Sequence, residues 1–155
     1  MFKFDVYSKI NNMKNVMKFV ALFGILFISC SEHSNATNET CDSNSEVIAE
    51  SVFSQISTSN YGISNVILNG NCLEITIGSS GCNAEQWQMN LYSTDAFYTV
   101  YPLQRAVKVE LINNQECLAV FQKTKSFDLT PFRIEGQNQT TLNIEGWNEQ
   151  IIYYY

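Results

Sequence analysis

Histidine, basic charge and long apolar runs are all scarce in this 155-residue chain, and each shortage removes a class of function. The one histidine, His33, sits in a polar segment, so the rest of the chain cannot build a Ser–His–acid or Cys–His nucleophile. A histidine-based metal site is excluded in the same way. The five cysteines include no pair two to four residues apart, the spacing that structural zinc requires. No G-x-S-x-G elbow or glycine-rich phosphate loop occurs, and nucleotide chemistry goes with it. The serines of "GSSGC", Ser79 and Ser80, then read as turn residues. No cofactor is implied. Finally, the apolar run at residues 19–29 is eleven residues long, far short of the ~20 needed to cross a bilayer as a helix.

That short run has its own meaning. Lys14 and Lys18 precede it, and Ser29 ends it just before Cys30. A basic flank, a short apolar core and a small residue at a break are the layout of a secretory signal, with Met13 as plausible a start as Met1. "LFISC" resembles a bacterial lipoprotein signal, in the looser form typical of Bacteroidota, with Phe27 where Leu is usual. The resemblance implies that residues 1–29 are removed and that Cys30 is lipidated. Several acyl chains at about 0.8 kcal/mol per buried methylene would anchor the chain stably in a membrane. The rival reading is an ordinary secretory cut that leaves Cys30 a spare thiol.

What remains is 126 residues, the size of one domain, with five basic residues against fourteen acidic and a net charge of −9. No basic patch survives, which excludes nucleic acid as a partner and leaves the lipid as the only grip on a membrane. Four cysteines follow Cys30: Cys41, Cys72, Cys82 and Cys117. An even number in an exported chain reads as two disulfides, and three pairings are open. The sequons at Asn35, Asn38 and Asn138 read as chance in an Asn-rich chain.

Residues 30–45 carry almost nothing to bury and read as a polar tether, stapled to the body at Cys41. From residue 46 onward the pattern alternates. "NVILNGNCLEITI" predicts a hairpin turning at Asn69-Gly70, with Val66 opposite Leu73 and with Leu73, Ile75 and Ile77 on one face. "WQMNLY" places Trp87, Met89 and Leu91 inside, and "VKVEL" does the same with Val107, Val109 and Leu111. "CLAVFQKTKSFDL" predicts a long strand, either buried on both faces near Cys117 or bulged nearer Lys123, ended by Pro131. "TTLNI" and "IIYYY" predict a closing hairpin, and "EVIAESVFSQI" is read as an edge strand. Short strands between regular turn signals predict an all-β antiparallel sandwich, Ig-like or similar, of about seven or eight strands over residues 46–155.

Two chemistries remain. Glycoside hydrolysis needs only two acids, and Glu74, Glu110, Glu116, Asp128, Glu135 and Glu145 are available. Their outward or turn positions are those of ordinary solvated acids, so catalysis is not expected. Aromatics are the better lead. Trp147 in a turn, with Tyr92 and Tyr154, could stack on sugar rings, whereas Trp87 falls on a core parity.

The segments "LNGNCLEITIGSSGCNAEQWQMNLY", "ECLAVFQKTKSFDLTPFRIEG" and "LNIEGWNEQIIYYY" resemble uncharacterised small lipoproteins of the Flavobacteria and wider Bacteroidota. That resemblance implies an envelope location, a Cys82–Cys117 disulfide that leaves Cys41 to Cys72, and no catalytic residues. The expectation is therefore a non-catalytic binding module, anchored by lipid to the bacterial envelope and most simply to the outer membrane. Its partners would be the membrane, and a glycan or an envelope protein.

Overall fold

The computed structural model describes residues 40–155. The signal segment, Cys30 and His33 lie outside the described residues. Nine strands follow in chain order: β1 (Ser43–Asn44), β2 (Glu46–Ile48), β3 (Gly62–Asn69), β4 (Cys72–Ser80), β5 (Gln88–Thr94), β6 (Gln104–Ile112), β7 (Val120–Asp128), β8 (Gln139–Ile144) and β9 (Ile151–Tyr154). One short helix, α1 (Glu50–Phe53), lies between β2 and β3. Sheet A has the order β1-β7-β4-β3 and sheet B the order β2-β5-β6-β8-β9.

The all-β sandwich is the expected one, but its sheets are mixed. The hairpin pairs and β4–β7 are antiparallel, whereas β1–β7, β2–β5 and β6–β8 are parallel. The core lies between the sheets and is built from the alternating residues read from the sequence. Leu73, Ile75 and Ile77 of β4 and Met89, Leu91, Val107 and Val109 of sheet B are at most 1% exposed, and Trp87 is 3% exposed. Alternation at period two puts every second side chain on one face, and burying that face drives the sheets together.

Both disulfides form as the resemblance implied, Cys41–Cys72 and Cys82–Cys117. Five local expectations are corrected. The hairpin turns one residue later, on Gly70 and Asn71, so that Asn69 pairs with Cys72 and Val66 lies opposite Ile75 rather than Leu73. Gly70 takes φ +54° while Asn71 stays at negative φ, the pattern of a turn with glycine at its first central position. Moving the turn by one residue moves the pairing by two, which leaves every side chain on its own face. Alternation is therefore blind to that slip.

Residues 42–45, expected to close the tether, join the fold instead. β1 pairs with β7, and the Asp42 carboxylate accepts from the Ser126 amide and hydroxyl, both at 2.8 Å. Those two bonds hold its pKa below the ordinary range. The predicted edge strand over residues 46–56 stops at Ile48, and residues 50–53 turn into α1, which buries Phe53. Around Cys117 the chain is exposed, not buried on both faces: Leu118 is 91% and Val120 78% accessible. Ser79 and Ser80 end β4 and are strand, not turn, residues.

Candidate functional site on the outer face of sheet B

The outward residues of β6, namely Gln104, Ala106, Lys108 and Glu110, are half-buried, and α1 lies beside Ala106 and Lys108. Its Phe53 is buried, and Lys108 holds it there. The Lys108 ammonium donates to the carbonyls of Phe53 and Ile56 at 3.3 and 3.2 Å, and lies 5.0 Å from the Phe53 ring centroid. Lys108 also pairs with Glu145 at 3.5 Å. The other Glu145 oxygen accepts from the Thr58 hydroxyl at 2.5 Å. A single cation thus ties the helix, the following loop and the β8–β9 turn to the middle of the sheet.

Phe53 and Ala106 separate two shallow concavities. The first, about 220 Å³, is lined by Asn143, Glu145, Trp147 and Gln150. Its amides are already ordered: Asn143 donates to Gln104 Oε1 at 2.9 Å and accepts from Gln150 Nε2 at 3.0 Å. The second, about 210 Å³, is lined by Glu50, Thr94, Phe97 and Tyr98. Phe97 is 40% and Tyr98 59% accessible. Trp147 packs against the core as well as lining the first hollow. Its Nε1 is buried with no hydrogen-bond partner, alone in this respect among the buried side-chain polar atoms of the described residues.

The three aromatics singled out from the sequence are not gathered at one point. Trp147 lines the first concavity, whereas Tyr92 is half-buried on β5 opposite Lys108. Burial, then Glu110 and Glu46, push the Tyr92 phenol above its ordinary pKa. Tyr154 projects from β9, two-thirds exposed and with β6 and β8 between it and β5. Sequence reasoning missed Phe53, Asn143 and Gln150. Phe53 was hidden in a segment read as a strand, and nothing in the alternation of β8 marks Asn143 as paving for a hollow.

Three of the six candidate acids are engaged structurally. Glu110 accepts from Asn90, Asp128 caps the turn at Thr130, and Glu145 holds Lys108 and Thr58. Among the described residues no group of three or more His, Cys, Asp or Glu side chains is placed to hold a metal ion. The arrangement offers aromatic faces and amides to a neutral or weakly charged ligand.

No model of a known protein family matches the chain, and no curated protein matches it. Among solved structures it is similar to a protein of unknown function, DUF1344, from Bacteroides vulgatus. That likeness has 12% identity and a TM-score of 0.50, and covers 73% of this chain and 56% of the other. A protein named provisionally as toxin-related, from Parabacteroides distasonis, gives 14% identity and a TM-score of 0.47, over 73% of this chain and 59% of that one. The chain thus spans little more than half the length of these proteins, and the first likeness is one of fold.

Proposed function

We propose that this protein is a lipid-anchored component of the bacterial cell envelope that acts as a non-catalytic binding module, with the outer face of sheet B as its recognition surface. The observation that carries this reading is the pair of aromatic-lined hollows held open on either side of Phe53. Recognition sites combine apolar and aromatic walls with a few fixed polar groups, and these hollows have that make-up. Two disulfides fit an oxidising compartment, and the signal ending at Cys30 supplies the anchor. External protease applied to intact cells, with Cys30→Ala as control, tests the anchor. Digestion in intact cells means surface display, and protection until the envelope is opened means an inward-facing lipid. If Cys30→Ala stays membrane-bound, the anchor reading is wrong.

A second reading is favoured by the company Trp147 keeps. An indole beside Asn143, Gln150 and Glu145 is the kind of lining that receives a sugar ring and its hydroxyls. It predicts saturable binding on a glycan panel, weakened at least tenfold by Gln150→Ala and by Trp147→Phe. Trp147→Phe keeps the packing that Trp147→Ala would remove. No binding to any glycan, or binding indifferent to both changes, removes this reading and leaves a protein partner as the ligand of the face.

A further inference from the structure

The most exposed large apolar side chains of the described residues, Leu118, Tyr101 and Val120, lie at opposite ends of the sandwich. β5 and β7 run in the same direction, since Lys123 and Lys125 of β7 reach the carbonyls of Trp87 and Met89 of β5, at 2.6 and 2.8 Å. Their last residues, Thr94 and Asp128, therefore share one end, and residues 95–103, between β5 and β6, form a loop there. Leu118 and Val120 belong to the start of β7, at the other end.

The chain enters the sandwich near the first of these ends. Asp42 bonds to Ser126, β1 pairs with Phe127 and Asp128, and Cys41 is joined to Cys72, which lies opposite Asp128. Residues 31–40, between Cys30 and that staple, span at most about 35 Å. A nine-residue strand such as β4 is itself about 30 Å long. With Cys30 in a bilayer, the 95–103 loop reaches the surface on a slack tether. Bringing Leu118 there uses up most of the tether's reach.

The loop is braced at its neck. Tyr98 and Gln104 exchange backbone bonds at 2.9 and 3.3 Å, and the Leu103 carbonyl accepts from the Thr141 amide at 2.9 Å. Buried Arg105 donates to the Thr94 carbonyl at 2.8 Å, with its guanidinium 5.7 Å from the Phe97 ring centroid. Beyond this neck Val100 is 52% and Tyr101 85% exposed, and neither lines either hollow. The stretch "AFYTVYPL", residues 96–103, carries no charge in an otherwise acidic chain. Exposed apolar patches mark contacts with proteins or membranes, and tyrosine is favoured where a bilayer meets water.

We propose that Val100 and Tyr101 make a second membrane contact, on the same lipid surface that holds Cys30. The proposal rests on the anchor reading and adds a direction to it. The strands stand along the membrane normal, and the outer face of sheet B opens sideways. Want of basic charge left the lipid as the only expected grip, but an uncharged aromatic loop needs no basic charge. Two side chains bind weakly alone, and the tether makes their contact intramolecular.

The test uses the mature chain with its lipid, purified from membranes and reconstituted in vesicles of phosphatidylethanolamine and phosphatidylglycerol. Mass spectrometry first establishes whether Cys30 is acylated. A fluorophore on Thr99→Cys, exposed beside the contact residues, is compared with one on Asn114→Cys, exposed at the far end. Headgroup-nitroxide lipids are expected to quench the first about threefold more than the second. Adding Val100→Ser and Tyr101→Ser to the Thr99→Cys chain should abolish the difference. Its persistence would assign the insertion to the dye and overturn the contact. Equal quenching at residues 99 and 114 in an acylated chain would overturn the contact and leave the anchor standing. Shielding of residue 99 in native membranes but not in vesicles would then give the loop to a protein partner. An unacylated Cys30 would remove anchor and contact together.

Discussion

The two open sides of the sandwich are closed by different means. On the β5/β7 side, Lys123 and Lys125 bridge the sheets through backbone carbonyls, and β1 and β2 extend both sheets by one short strand. On the β3/β9 side, sheet B runs one strand further than sheet A, and side chains fill the step. Arg133 lies 5.8 Å from the Tyr153 ring centroid and 5.2 Å from that of Tyr155, and donates to Tyr153 Oη at 3.0 Å and Asn71 Oδ1 at 2.9 Å. The Tyr153 hydroxyl donates to the same Asn71 oxygen at 2.9 Å. Cations close both sides, but those of the first seal an edge, and that of the second seals a corner and leaves the β3 edge free.

The sharpest way to break this comparison is at β9. Tyr153 is fully buried and hydrogen-bonded, so Tyr153→Ala should cost about 3–5 kcal/mol in chemical denaturation, from cavity formation and an orphaned Asn71–Arg133 pair. Tyr154→Ala, one residue on and exposed, should stay within about 0.5 kcal/mol of wild type. Equal costs would mean that β9 does not pack at this corner as described.

The disulfides come next. Their sequence separations, 31 and 35, are so close that the chain-entropy model gives both about 4 kcal/mol. They differ in access. Cys72 is buried, whereas Cys82 and Cys117 are both exposed. Mild reductant followed by alkylation and mass mapping should open Cys82–Cys117 first, and simultaneous opening would remove the distinction. Gln115 lends that end of the molecule support independent of the disulfide. Its Oε1 accepts from the Cys82 and Asn83 amides at 2.6 and 2.9 Å, close to where a Cβ on Gly81 would collide. A side chain at residue 81 would displace Gln115 or Trp87.

How much of this was legible in the sequence depends on the range of the forces. The core was legible residue by residue, since Leu73, Met89, Val107 and their neighbours alternate without interruption and alternation reports burial directly. The hairpin register was not, because slips of two residues preserve faces and only Gly70 and the tertiary ties of Asn71 choose between them. α1 was not legible either, as four residues carry too little pattern to outweigh β-branched neighbours. Trp147 was legible as a turn aromatic, and the structure makes it both core and lining. The paving of Asn143 and Gln150 depends on one cross-strand contact between β8 and the turn before β9, and no local rule encodes it.

On the β5/β7 side, Lys125→Met keeps length and apolar stem and removes the donor to the Met89 carbonyl. A loss of about 2 kcal/mol is expected, with greater aggregation on concentration as the β5 edge is unmasked. If stability falls without aggregation, the lysine stabilises the fold but does not guard the edge.

The smallest effect is a pH dependence on the β3 side. Tyr61, just before β3, crosses between the sheets and donates its hydroxyl to the Val109 carbonyl at 2.7 Å. Burial, and after it the Glu145 carboxylate, push its phenol up to about 12, against an ordinary value of 10.0. A group whose folded pKa is raised lends stability that is intact below the unfolded pKa and is lost as pH rises through the folded one. The window is therefore pH 10 to 12, where the unfolded chain ionises this tyrosine and the folded chain resists. Between pH 9 and 11.5, wild type should lose on the order of 1–2 kcal/mol more than Tyr61→Phe, which keeps the ring and cannot ionise. The remaining tyrosines and lysines titrate in both proteins and cancel in the difference. Parallel pH curves would mean that the hydroxyl is solvated and that the crossing is held by the ring and by Asn60, whose amide donates to the Leu111 carbonyl at 3.0 Å.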